Sequence, residues 1–205
     1  MSYIYRISKI VLYIFFKVFN RLEVIGSQNI PEKGGVIVAA NHVSYLDPPL
    51  IGAAVKRQVV YLAREGLFKV PILGSFISLF SIPVRRGRPQ PSTIKAVTRR
   101  LKQGELVLMF PEGSRSIDGE LLDAKRGVGL IAAKSRIPVI PAFIRGTEKV
   151  LPVGRKFLHP AKITVIFGTP MEINKEETDK QFQERVNKDI IEEIKNLKAK
   201  VEQLK

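Results

Sequence analysis

Apolar, β-branched runs bounded by Gly, Pro or charged residues recur along the chain at Gly35–Asn41, Gln58–Ala63, Ile82–Arg85, Leu106–Phe110, Val139–Ile144 and Ile163–Phe167. These runs predict six strands. Helical spacing at Leu50–Val55, Ser92–Gln103 and Gly129–Lys134 separates several of them. The alternation predicts an α/β fold, a single domain with a mixed, largely parallel sheet flanked by helices. No internal repeat is visible.

Both ends carry helical patterns of a different kind. Near the C-terminus Phe182, Val186, Ile190, Ile194, Leu197, Val201 and Leu204 follow steps of three and four, with Asn174 and Glu177 spaced as a capping pair. Residues 171–205 are therefore expected to form one long amphipathic helix packed on the domain, with a homotypic coiled coil as the alternative. At the N-terminus Arg6, Lys9, Tyr13 and Lys17 share one helical stripe, with Asn20 and Arg21 beside it, among strongly apolar and aromatic neighbours. The longest uncharged apolar stretch there, Ile10–Phe16, is seven residues. About 20 are needed to span a bilayer, and no small-residue cleavage site follows. Residues 1–22 are thus expected to lie in a membrane interface, with basic side chains reaching anionic headgroups. A terminal helix packed on its own domain is the other reading.

The chain has 205 residues, enough for one domain of ordinary size, and its hydrophobic fraction of 45% implies a packed core. It has no cysteine, which excludes disulfides, thiolate metal sites and cysteine nucleophiles. The formal charge of +15 points to an anionic partner, whether nucleic acid, a membrane surface or a phosphorylated ligand. Residues 1–170 hold 26 basic and 10 acidic side chains, so the excess sits on the body. Between Lys56 and Lys102 there are 11 basic residues and a single acid, Glu65, a run that reads as a docking face or as a solvated basic surface.

Three motifs follow predicted strands. Asn41-His42-Val43-Ser44-Tyr45-Leu46-Asp47-Pro48 places a histidine and an aspartate five residues apart, about 140° apart on a regular helix. Pro48 disfavours the α region for Asp47, so a turn is expected to fold the carboxylate back to the imidazole, where it would fix the tautomer. A purely structural His–Asp pair is the alternative. Phe110-Pro111-Glu112-Gly113-Ser114-Arg115-Ser116 follows a second strand, with Gly113 permitting a tight turn, and Ile82-Pro83-Val84-Arg85-Arg86-Gly87 ends a third in guanidinium groups. In a parallel sheet all three would open on one edge, bringing a base, a carboxylate and phosphate-binding arginines together. The segment Gly66–Phe80, apolar but broken by Gly and Pro, could line an apolar groove or form core helix. Enlarging Gly74 is the test this suggests.

These motifs resemble the glycerolipid acyltransferases of the 1-acyl-glycerol-3-phosphate (lysophosphatidate) acyltransferase type. The N-H-x-S-x-x-D-P block matches Asn41–Pro48, the F-P-E-G-[ST]-R-S block matches Phe110–Ser116, and a V-P-V-I-P-like strand resembles Ile137–Pro141, followed by Arg145-Gly146-Thr147. The second-block arginine aligns with Arg86, and the basic segment Lys125-Arg126-Gly127 follows the third block. Arg85 and Arg64 stand where the family often has Asp and Lys. The resemblance covers about Leu22 to Pro170, so residues 23–170 are expected to be the catalytic domain.

The resemblance implies that His42 is a general base oriented by Asp47. It activates the free hydroxyl of 1-acyl-glycerol-3-phosphate for attack on an acyl thioester, acyl-CoA or an acyl carrier protein, giving phosphatidic acid in phospholipid biosynthesis. Arg86 and Arg115 would hold the acceptor phosphate, with Arg64 and Lys125 as further candidates, and Glu112, beside Gly113, would position the glycerol. No tightly bound cofactor and no metal are implied. The expected location is peripheral or monotopic on the cytoplasmic face of a membrane, the inner membrane in a bacterium, and nucleic acid is not an expected partner. Two other functions stay open: a different lysolipid or glycerol phosphate as acceptor, and a noncatalytic protein that binds anionic membranes. His159, between Leu158 and Pro160, is expected to be a loop residue.

Overall fold

A computed structural model of the chain describes residues 2–85, 90–155, 157–173 and 180–203. Its centre is one seven-stranded sheet in the order β1-β7-β6-β2-β5-β3-β4. The strands are β1 Glu23–Ile25, β2 Val36–Ala40, β3 Val59–Arg64, β4 Ser81–Val84, β5 Leu106–Met109, β6 Val139–Arg145 and β7 Thr164–Phe167. Strands β6, β2, β5, β3 and β4 are mutually parallel, β7 runs antiparallel to β6, and β1 pairs parallel with β7. The sheet is thus mixed and largely parallel. The one unexpected strand, β1, has only three residues and is completed by register with Thr164, Val165 and Ile166. Three residues carry no periodic signal of their own.

Helices cover both faces: α1 Tyr3–Phe19, α2 Asp47–Ala54, α3 Leu73–Ser78, α4 Pro91–Lys102, α5 Gly127–Ser135, α6 Thr147–Val150 and α7 Lys180–Gln203. Alternation along β2 divides the core. Val36, Val38 and Ala40 pack with Phe16 of α1 and Leu50 and Ile51 of α2. Ile37 and Ala39 pack with Val97 of α4, Ile131 of α5 and Ile190 of α7. Every residue of β2 is therefore buried, the condition under which a strand reads as a continuous apolar run.

The terminal helices join this core. Phe182, Val186, Ile190, Ile194, Leu197 and Val201 of α7 are buried against the domain. Asn187 caps the approach to α5 by accepting from the Gly129 N–H at 2.9 Å. The expected capping pair Asn174 and Glu177, and Leu204, lie outside the described residues.

In α1, Tyr5 and Phe16 turn inward, and burying Phe16 completely contributes about 1.5–3 kcal/mol. The outer side is not mainly basic. Ile7, Ile10, Val11, Ile14 and Val18 are all more than half exposed. Lys9 is half-buried and turned inward, whereas Arg6 and Lys17 are exposed, with Lys17 Nζ donating to the Leu22 carbonyl at 3.1 Å. No helix among the described residues is long and apolar enough to cross a membrane.

Candidate active site

Because β2, β3, β4 and β5 are parallel, the segments that follow them leave from the same edge of the sheet, the usual ligand edge of α/β domains. After β2 the chain turns through His42, and His42 Nδ1 lies 2.8 Å from Asp47 Oδ2. The expected reason for this pairing needs correction. Asp47 is not held outside the helix; it is the first residue of α2, with proline in the opening turn, where a missing N–H costs nothing. Its carboxylate reaches back over its own loop, accepting the Val43 N–H at 2.7 Å and the Ser44 N–H at 2.8 Å on the same oxygen. Charge-assisted bonds of this kind outweigh the steric preference that Pro48 imposes.

Asp47 is fully buried, while the His42 side chain keeps 18% of its surface exposed. The imidazole lies almost parallel to the Phe110 ring, with centroids 3.9 Å apart. An ionised carboxylate only accepts, so the pairing favours the tautomer with the ring proton on Nδ1. Among the described residues no third His, Asp or Glu joins this pair in a group that could hold a metal ion.

Glu112 is placed differently from the sequence expectation. It is 1% exposed, and both its oxygens are occupied by backbone: Oε1 accepts the His42 N–H at 3.0 Å and Oε2 accepts the Leu122 N–H at 3.2 Å. It does not line the cavity described below. The Ser116 N–H donates to the His42 carbonyl at 2.8 Å, so the loop after β5 grips the His42 backbone from both sides. Glu112 is a brace between the two motifs. Burial pushes its carboxyl up to about 7, against the pull of those two N–H donors, and the nearby Asp47 charge adds to the rise. The turn at Gly113 needs φ +65°, which glycine adopts without penalty, and the Lys125 side chain packs across the space a Cβ would occupy.

His42 opens onto a cavity of about 890 Å³. Arg64, Gly113, Arg115 and Lys125 are among the residues that line it. The Arg115 guanidinium stacks 3.5 Å above the Tyr45 ring, and its Nη1 is buried with no hydrogen-bond partner among the described residues. Arg86 lies outside the described residues, and the neighbouring Arg85 is engaged with Glu65 through Nε at 2.8 Å. Apolar lining comes from Leu12, Tyr61, Leu67, Leu73, Phe76 and Phe80. Several of these come from the segment expected to line an apolar groove. Gly74 does not: a Cβ there would sit 2.2 Å from the Phe68 carbonyl oxygen, so enlarging it tests the fold and not the cavity.

Two lining residues carried too little local signal to be assigned to the site. Tyr45 occupies a variable position within the first motif, and Lys9 looks from the helix pattern like one more headgroup contact. Burial lowers the Lys9 ammonium from its ordinary range. His159 is exposed, and its N–H donates to the Val150 carbonyl at 2.8 Å.

The sequence and the fold both match known proteins. Residues 21–145 match the family described as Acyltransferase. A 1-acyl-sn-glycerol-3-phosphate acyltransferase of Bacillus subtilis is 30% identical over 169 residues, covering 82% of each chain. The chloroplastic LPAT1 of Arabidopsis thaliana is 31% identical over 75% of this chain, which spans only 44% of that longer protein. The crystal structure of the 1-acyl-sn-glycerophosphate (LPA) acyltransferase of Thermotoga maritima superposes with a TM-score of 0.80 at 30% identity, covering 96% of this chain and 80% of that one. With the family match spanning residues 21–145 and the Bacillus subtilis relative aligned over 82% of both chains, the chain belongs to the acyltransferase family that includes the 1-acyl-sn-glycerol-3-phosphate acyltransferases.

Proposed function

We propose that the protein transfers an acyl group from an acyl thioester, carried by coenzyme A or an acyl carrier protein, to the free hydroxyl of 1-acyl-glycerol-3-phosphate, giving phosphatidic acid. The observation that carries this reading is the His42–Asp47 pair at 2.8 Å, opening onto a cavity lined by both cationic and apolar side chains. An acceptor with a phosphate, a hydroxyl and a hydrocarbon chain suits that mixed lining. So does a thioester with a fatty tail.

In this mechanism His42 Nε2 takes the acceptor hydroxyl proton as the oxygen attacks the thioester carbonyl. Asp47 holds the Nδ1 proton and offsets the imidazolium charge. The tetrahedral intermediate then expels the thiolate, which takes the proton back from His42. The ester forms, the C–S bond breaks, and no covalent enzyme intermediate is required. Arg115, with one nitrogen buried and without a partner among the described residues, Arg64 and Lys125 hold the phosphate, and Lys9 adds positive charge to the cavity wall. Arg86 belongs to the same assignment by resemblance.

The outer face of α1 and the exposed Val70, Ile72, Leu73 and Phe76 supply an apolar surface for docking on a membrane. Because α1 also walls the cavity, residues 1–22 serve both roles in this reading.

Transfer of a labelled acyl group to a panel of lysophospholipids, from acyl-CoA and from acyl carrier protein in turn, tests the proposal. The expected result is transfer to 1-acyl-glycerol-3-phosphate by the wild-type chain and none by His42→Ala. Vesicle binding that persists in both proteins with no transfer from either donor would instead favour a noncatalytic lipid-binding role.

A further inference from the structure

We propose that Thr147 is a positioning residue for the His42–Asp47 pair, holding the carboxylate by the oxygen that the pair itself leaves free. The two oxygens of Asp47 have different surroundings. Oδ2 accepts three N–H groups, from His42 Nδ1 at 2.8 Å, Val43 at 2.7 Å and Ser44 at 2.8 Å. Oδ1 accepts the Thr147 hydroxyl at 2.6 Å, in the range of a charge-assisted O–H···O⁻ bond.

The donors on Oδ2 all come from within five residues of Asp47, whereas Thr147 lies 100 residues away. The three local bonds satisfy one oxygen and leave the other needing a donor. The bond from Thr147 supplies it and adds a second, long-range restraint on the plane in which Asp47 meets the imidazole. Asp47 and Thr147 are both fully buried, so no solvent stands ready to replace the hydroxyl.

The mount that carries Thr147 is rigid. Thr147 opens α6 directly after Gly146, whose φ of +100° and close approach to the Lys162 carbonyl exclude a side chain there. The same crossing from β6 into α6 grips the His42 loop twice more. Asn41 pairs with Ile144 as a backbone strand would, its Oδ1 accepting the Ile144 N–H at 2.7 Å and its Nδ2 donating to the Ile144 carbonyl at 3.0 Å. Ser44 Oγ donates to the Leu151 carbonyl at 3.0 Å. Among these three tethers, only the one from Thr147 reaches the carboxylate that faces His42.

This inference rests on the reading of His42 as the base, but its test does not. Thr147→Val keeps the volume and removes the donor. The chain's two histidines are His42 and the exposed His159, so a His159→Gln background assigns the ring signals of His42 in a nitrogen-labelled sample. The Nδ1-bound proton and a single tautomer are expected in the parent and are expected to be lost or mixed in Thr147→Val. The rate constant kcat should fall about ten- to hundredfold with acceptor KM within twofold, the size expected for a buried acceptor left bare. Thr147→Ser should restore both signal and rate. A lower Tm with the His42 signal and kcat unchanged would make Thr147 merely structural and overturn the proposal. If Thr147→Val does not fold, Thr147→Cys carries the test, and unchanged tautomer and kcat would overturn the proposal equally. Loss of the signal in a protein that shows no acyl transfer would uphold the positioning claim and sink the enzymatic reading instead.

Discussion

Replacing Glu112 by Gln separates a brace from a ligand contact. The carboxylate accepts the His42 N–H at 3.0 Å and the Leu122 N–H at 3.2 Å, one on each oxygen. An amide has one acceptor oxygen, so either way round its NH₂ group must face a backbone N–H. Glu112 is 1% exposed, and water does not fill the gap. Leaving one buried N–H unpaired costs about 1–3 kcal/mol. In a chain of this size that lowers Tm by about 2–12 °C.

The pH dependence gives a second handle. Burial raises the folded-state value from 4.5 to about 7, so between those limits the folded protein holds a proton that the unfolded chain has released. The stabilisation from that proton is fully present below pH 4.5 and is lost as pH rises through about 7. Gln does not titrate. Denaturant unfolding at pH 4.5, 6 and 8 should therefore show the gap between wild type and Glu112→Gln narrowing as pH rises. Because Glu112 holds the His42 backbone, kcat should fall while acceptor KM changes little. A variant with unchanged unfolding midpoints and an acceptor KM raised tenfold or more would refute the brace and return Glu112 to the substrate.

Three further outcomes follow from the same geometry. Arg115→Ala should raise acceptor KM by about tenfold or more, since it removes a charged group with a nitrogen that has no partner among the described residues; Tyr45→Ala should give a smaller rise in KM that Tyr45→Phe does not, because the stack needs only the ring. Ile10→Glu with Ile14→Glu, at positions 52% and 55% exposed, should abolish sedimentation with anionic vesicles while Tm stays within a few degrees; retained binding would remove the outer face of α1 from the docking surface. Deleting residues 1–20 would also strip Tyr5 and Phe16 from the core and could not isolate that effect. Ala63→Leu, on β3 in the cavity wall, should shift the preferred acyl chain toward shorter lengths in competition assays, whereas an unchanged profile would place the hydrocarbon elsewhere.

The sequence alone determined the parallel strands and what stands at their ends. Val36–Ala40, Leu106–Met109 and residues 139–144 are buried on both faces, so they read as unbroken apolar runs. The residues that follow two of them, Asn41–Pro48 and Phe110–Ser116, are local motifs whose order survives in the primary structure. Burial and punctuation are local signals. Direction is not. That β7 turns antiparallel depends on how it pairs with β6, and that a three-residue β1 exists at all depends on pairing across more than 100 residues. Only the fold decided that Glu112 faces two backbone N–H groups, that Lys9 turns into the cavity, and that Thr147 closes on Asp47. A buried polar side chain is aimed by whichever donors and acceptors tertiary packing brings within hydrogen-bond reach, and those partners lie 70 and 100 residues away for Glu112 with His42 and for Thr147 with Asp47.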